Sequence, residues 1–110
     1  MIYKIEYSEN SLEDLKAIYE YIAYELFAPT TASNQVNRII KAISLLDRTP
    51  FMYKAYEEEP WKSKGLHIFS VDNYNILYLP NKKLKRVDIV RIIYGGRDLP
   101  KELKSWAIIN

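Results

Sequence analysis

"GLHIFSVDNYNILYLPNKKLKRVDIVRIIY", residues 65–94, decides how this chain is built. Three runs in it read as strands, "GLHIFSV", "YNILYLP" and "LKRVDIVRIIY", and the breaks between them, "DN" and "NKK", suit tight hairpin turns. Strands joined by connections that short form an antiparallel meander. A sheet of this kind has to bury an apolar face, so the remainder of the chain must supply a covering layer.

The covering layer lies upstream. "MIYKIEY" at the start alternates Tyr3, Ile5 and Tyr7 against Ile2, Lys4 and Glu6, the period of one further strand. After Ser8, Asn10 and Ser11, all residues suited to a helix N-cap, Leu12, Leu15, Tyr19, Ile22 and Leu26 recur at helical spacing and predict an amphipathic helix of about 17 residues. Pro29, followed by Thr30 and Thr31, closes that helix and opens a second, whose stripe is Val36, Ile39, Ile40, Ile43 and Leu46. With so short a loop between them the two helices pack as an antiparallel hairpin. From Pro50 to Ser63 two prolines and three consecutive glutamates argue for a long connection. The sum is one α+β domain over residues 1–110, ordered βααβββ, with the helical hairpin on one face of the sheet.

A chain of 110 residues has room for one core of ordinary size. With 48% hydrophobic and 27% charged residues it belongs with globular and not with disordered sequences. Cysteine is absent, which removes disulfides, thiolate metal sites and cysteine nucleophiles and points to a reducing, cytoplasmic setting. No apolar stretch is long enough for a membrane span and the N-terminus lacks a signal-peptide layout. One histidine and no cysteine make no ordinary transition-metal site, and neither a glycine-rich phosphate loop nor a nucleophile elbow is present. Neither metal nor cofactor is therefore expected. The formal charge of +2 conceals an asymmetry: residues 1–60 hold six Lys or Arg against ten Asp or Glu, residues 61–110 ten against four. A basic C-terminal half suits an acidic protein segment or nucleic acid, and equally a solvated face.

Five pieces in order, "SLEDLKAIYEYIAYEL", the run ending in "TP", "VDNYNILY", and the closing "RIIYGGRDL", together with the order of elements itself, resemble the RelE/ParE superfamily of toxins from bacterial type II toxin-antitoxin systems over roughly residues 2–103. That resemblance implies a small growth inhibitor held inactive by a cognate antitoxin, whose segment wraps over the toxin. It also implies one of two targets: DNA gyrase in the ParE-like branch, without a hydrolytic step, or the ribosome with its messenger RNA in the RelE-like branch, which is an endoribonuclease. A degenerate member that only binds its antitoxin is the third reading.

Phosphodiester cleavage needs cations for the scissile phosphate and a group that moves protons. In the RelE-like pattern the first meander strand carries lysines, where this chain has Leu66 and Ile68; an arginine follows the tyrosine of the next strand, where Asn75 follows Tyr74. Arg97 matches the arginine after the last strand, whereas the tyrosine expected near the chain end falls at about Leu103. Replacement chemistry would draw on His67, Arg91 and Arg97 as catalytic groups, with Lys62, Lys64, Tyr94 and Arg97 binding target or nucleic acid. Each has a plainer reading: His67 as a packing residue, the two lysines as a soluble edge, Arg91 as a sheet-end arginine paired with a carboxylate such as Asp98. Alternation places Arg91 on the face of Val87, Ile89 and Ile93. The pair Gly95 and Gly96 would free the backbone at the strand end and turn Arg97 to the sheet rim, or simply end the strand. Most of the ten tyrosines fill core or core edge, leaving Tyr94, Tyr53 and Tyr56 in basic or exposed settings. Glu57 to Glu59 form a solvated turn. Trp106, Ile108 and Ile109 mark a C-terminal hydrophobic element. The balance of missing nuclease residues favours the ParE-like branch.

Overall fold

The computed structural model of the chain describes residues 2–109, and side chains from Ile2 to Lys104. Its elements are β1 (Lys4–Tyr7), α1 (Glu9–Glu20) continued by a π-helical turn (Tyr21–Glu25), α2 (Pro29–Ser44) with a 3-10 turn (Leu45–Asp47), a short α3 (Trp61–Lys64), β2 (His67–Val71), β3 (Tyr74–Asn81), β4 (Arg86–Tyr94) and α4 (Leu99–Ile109). The four strands form one sheet in the order β1-β4-β3-β2. The meander pairs antiparallel, and β1 adds to β4 in parallel, a pairing that the α1–α2 crossover makes possible.

Each helix start can be traced to particular residues. Ser8 is the N-cap of α1: its Oγ accepts from the Ser11 amide at 3.0 Å and donates to the Val90 carbonyl at 2.8 Å, tying the helix start to β4. Pro29 opens α2, where its missing N–H costs nothing. The buried stripe of α1 and its continuation is Ser11, Leu15, Ile18, Ile22 and Ala23, whereas Leu12 and Leu26 are exposed. The stripe is rotated from the expected one: Ser11 takes the inward position, where its hydroxyl donates to the Ser8 carbonyl at 2.8 Å, and Leu12 lies outside. In α2 the buried set is Ala32, Gln35, Ile39 and Ile43, and Ile40 lies out of it.

Two apolar layers result. The first holds α1 and α2 against Tyr3, Phe69, Ile76, Tyr78, Val87, Ile89 and Ile92. On the second face Tyr56, Trp61 and Leu103 cover Leu66, Leu77, Val90 and Ile93, so the segment expected to be only a connection, together with α4, closes the far side of the sheet. Within that segment α3 ends in a Schellman motif: Gly65 takes φ 85°, its amide bonds the Lys62 carbonyl at 3.1 Å, and the Leu66 amide bonds that of Trp61 at 3.1 Å. Tyr53 stacks on Phe69 with centroids 4.2 Å apart and Tyr56 is buried, so neither is a free loop aromatic, whereas Tyr21 and Tyr24 of the first helix are exposed. Glu57, Glu58 and Glu59 are exposed, as a solvated turn requires.

The Asp72–Asn73 turn joins β2 to β3, with Asp72 at φ 53° and its carboxylate bonded by Gln35 and Arg38 of α2 at 2.9 and 2.8 Å. The β3–β4 turn is longer than "NKK": β3 runs on to Asn81, whose Oδ1 accepts from the Leu84 amide at 2.9 Å, and β4 begins at Arg86. The α4 helix occupies the position of the expected C-terminal element. Its buried contact among the described side chains is Leu103; Trp106, Ile108 and Ile109 fall outside the described side chains. No described helix is long and apolar enough to cross a membrane.

Candidate functional site

A break in register sets the site. Ile89 faces Tyr78 and Arg91 faces Leu77, which leaves Val90 as the extra residue of a β-bulge. The bulge reverses the alternation, so Arg91 shares the second face with Ile93 and not with Val87 and Ile89. Pairing with β1 stops at Ile89, so the stretch Val90–Tyr94 has no strand on that side. Side chains occupy the open edge instead. Asp14 of α1 accepts from the Ile92 amide at 2.8 Å and from Arg91 Nε and Nη2 at 2.8 and 3.0 Å. Glu102 of α4 reaches Arg91 Nη1 at 3.9 Å and Arg97 Nη1 at 3.4 Å. The partner expected for Arg91, Asp98, is thus replaced by Asp14, 77 residues away in sequence.

The Asp14–Arg91 pair is bidentate and both side chains are only 16% exposed, so its bonds count for more than a surface pair does. Hydrogen bonding to Asp14 is the main cause that raises the Arg91 pKa above its ordinary value, against the opposing effect of burial. Arg97, at 61% side-chain exposure, remains the accessible cation.

The glycine pair works differently from the expectation of unusual backbone angles, since Gly65 alone among the described glycines has a left-handed φ. A Cβ on Gly96 would stand 2.7 Å from the Tyr94 ring, and one on Gly95 would stand 3.1 Å from the Asn73 carbonyl oxygen. Glycine is needed here for close approach. Tyr94 folds over the Gly96 backbone, while the Arg97 amide bonds the Tyr94 carbonyl at 3.0 Å and closes the turn.

Between α1 and this end of β4 lies a cleft of about 600 Å³, lined by Asp14, Ala17, Ile18, Tyr21, Leu26, Tyr74, Arg91, Ile92, Tyr94 and Arg97 among others. Of the residues singled out in the sequence, Arg91, Tyr94 and Arg97 come together here. His67 does not. It stands opposite Tyr78, at the end of β2 away from Val71 and Tyr94, a separation of about 13 Å along the strand. There its ring packs on Phe51 and Tyr78 at 5.9 and 5.5 Å and its Nδ1 lies 3.0 Å from the Gly65 carbonyl oxygen. Lys62 and Lys64 are exposed on α3, on the opposite face from His67, and the Lys64 ammonium lies 5.2 Å from the Trp61 ring centroid. The sequence reading missed Asp14, Glu102, Tyr21 and Leu26. Only the acidic positions on α1 gave any signal. No cluster of metal-ligating groups occurs among the described residues.

The fold has known counterparts. It matches the toxin–antitoxin structure "Chromosomal ParDE TA system" from P. aeruginosa with TM-score 0.70 at 18% identity, over 84% of this chain and 96% of the other. A mutant of the E. coli toxin RelE in the free state gives 0.66 at 13% identity, over 98% and 96%. The RelBE2 toxin-antitoxin complex of Mycobacterium tuberculosis gives 0.59 at 16%, over 86% and 99%. These likenesses are of fold. Residues 5–99 match the model of the ParE toxin of the type II toxin-antitoxin system parDE, and the chain belongs to that family, a branch of the RelE/ParE superfamily. No curated protein sequence matches the chain significantly.

Proposed function

We propose that the protein is the toxin of a type II pair, silenced by direct contact with a cognate antitoxin, and that when unopposed it arrests growth in the cytoplasm by inhibiting DNA gyrase. Membership of the ParE family and likeness to toxin-antitoxin complexes support the first half. One observation carries the second: His67, Lys62 and Lys64, which replacement nuclease chemistry would use, stand apart from Arg91 and Arg97. His67 is half-buried against Phe51, Tyr78 and the Gly65 carbonyl, Lys62 and Lys64 stand on the other face, and Arg91 is bound by Asp14. In the cleft Asp14 is committed to Arg91, and the other titratable groups beside the arginines are the phenols of Tyr21, Tyr74 and Tyr94. A surface that binds without cleaving fits that arrangement.

The test is to induce the protein without antitoxin and pulse-label DNA and protein synthesis in the same culture. DNA synthesis stopping first, with a DNA-damage response, is the expected result. Translation stopping first, with transcripts cut on ribosomes, would replace this reading by the endoribonuclease. Sustained growth with soluble, folded protein would leave an antitoxin-binding chain without toxicity.

A further inference from the structure

The cleft beside β4 has a composition that selects its occupant. Its walls are apolar where Ala17, Ile18, Leu26 and Ile92 line it, and its mouth carries Tyr21, 56% exposed, and Tyr94, 51% exposed. The floor carries no net charge because Asp14 neutralises Arg91. One cation, Arg97, stands at one end, held among the described side chains by a 3.4 Å contact to Glu102. Along the other wall, residues 9–25 contain Glu9, Glu13, Asp14, Glu20 and Glu25 against Lys16 alone. Helical spacing sets Glu13 and Glu20 beside Ala17 on its exposed side.

The mouth continues into Tyr24, Leu26 and Phe27, exposed by 65%, 54% and 88%. Phe27 has φ 54°, a conformation that a bulky side chain adopts at a cost of roughly 1 kcal/mol or more, and it follows a π-helical turn. Local folding thus holds an aromatic ring in water next to an apolar cleft.

We propose that this cleft receives a protein segment of mixed charge. An aromatic or branched aliphatic side chain fills the space over Ala17, an adjacent Asp or Glu takes Arg97 from Glu102, and a Lys or Arg on the other side meets Glu13 or Glu20. The acidic wall is what separates this partner from nucleic acid, since a phosphate chain drawn to Arg97 would run against Glu13 and Glu20. The inference rests on the reading that a protein inhibitor binds the chain, and it adds which chemistry that inhibitor presents.

The experiment uses the full chain as bait for a displayed library of random 12-residue peptides, with a 12-residue uridine oligonucleotide as the competing probe. Enriched peptides are expected to pair an apolar anchor with an Asp or Glu. Their affinity should fall about tenfold or more on Ala17→Trp, which fills the cleft, and on Arg97→Glu. Exchanging the peptide carboxylate for Lys should restore binding to the Arg97→Glu variant. Both positions are exposed, and unchanged circular dichroism and melting confirm the fold of each variant. Peptides without a carboxylate, indifference to both substitutions, tighter binding of the oligonucleotide, or self-association blocked by Ala17→Trp would each overturn the proposal. Growth arrest measured in parallel separates the two readings: a cleft that binds nothing in a chain that still arrests growth removes the peptide site and leaves the toxin.

Discussion

The two ends of the sheet differ in what their charged or titratable groups are doing. At the His67 end, rings close over one another: Tyr3 meets Phe51, Phe51 meets His67, and Phe69 meets Tyr78, all edge-on. At the Tyr94 end, carboxylates and arginines alternate around an open edge and a cleft. The residue type most often associated with catalysis sits in the packed end, and the accessible cation sits in the open one. Residue type alone is therefore a poor guide to a site, because packing decides whether a side chain has anything left to bind.

The largest effect that would break this comparison is at Arg97. Arg97→Ala is expected to relieve growth arrest while shifting the midpoint of chemical denaturation very little, since an exposed ion pair contributes at most about 1 kcal/mol. Full arrest in a strain that makes the variant would take Arg97 out of the functional surface. Next comes Asp14→Ala, which strips Arg91 and the Ile92 amide of their acceptor together and should destabilise the fold by about 3 kcal/mol in urea titration. A loss near zero would mean the pair behaves as a surface bridge.

Tyr78 sharpens the packed end. Its hydroxyl is buried near the Tyr53 backbone and completes no hydrogen bond among the described residues, so Tyr78→Phe should stabilise by about 1 kcal/mol. Burial pushes its pKa up from 10.0 to about 12. The unfolded chain therefore gives up this proton first, and stability falls as pH rises between those values. Wild type should lose stability relative to Tyr78→Phe by up to about 1.4 kcal/mol per pH unit in that window. Parallel curves would show that the phenol ionises as freely in the fold as out of it. The smallest effect belongs to His67→Gln, for which unchanged growth arrest is expected; abolished arrest would transfer the chemistry to the packed end.

Much of the fold was legible because strand alternation and helical spacing are local. The four strands, the helical hairpin and the Ser8 cap follow from neighbouring residues. The α3 helix, four residues long, shows no periodicity of its own. The bulge at Val90 escaped because one extra residue in a continuous apolar run leaves the composition of β4 unaltered while reversing which side Arg91 faces. Arg97 was visible in "RIIYGGRDL", but Asp14 was not, since its role comes from a contact between residues far apart in the chain. Leu26 read as core because the stripe was extended as α-helix through the π-helical turn, which changes the facing of the residues after it.

Asp14 also has a consequence for the open edge of β4. A strand whose last residues lack a neighbour is a template on which a second chain can add its own strand and nucleate aggregation. By taking the Ile92 amide, and by holding Arg91 beside it, Asp14 places a buried ion pair where an invading backbone would have to bond. A second chain adding its strand here would first have to displace Asp14 from the Ile92 amide.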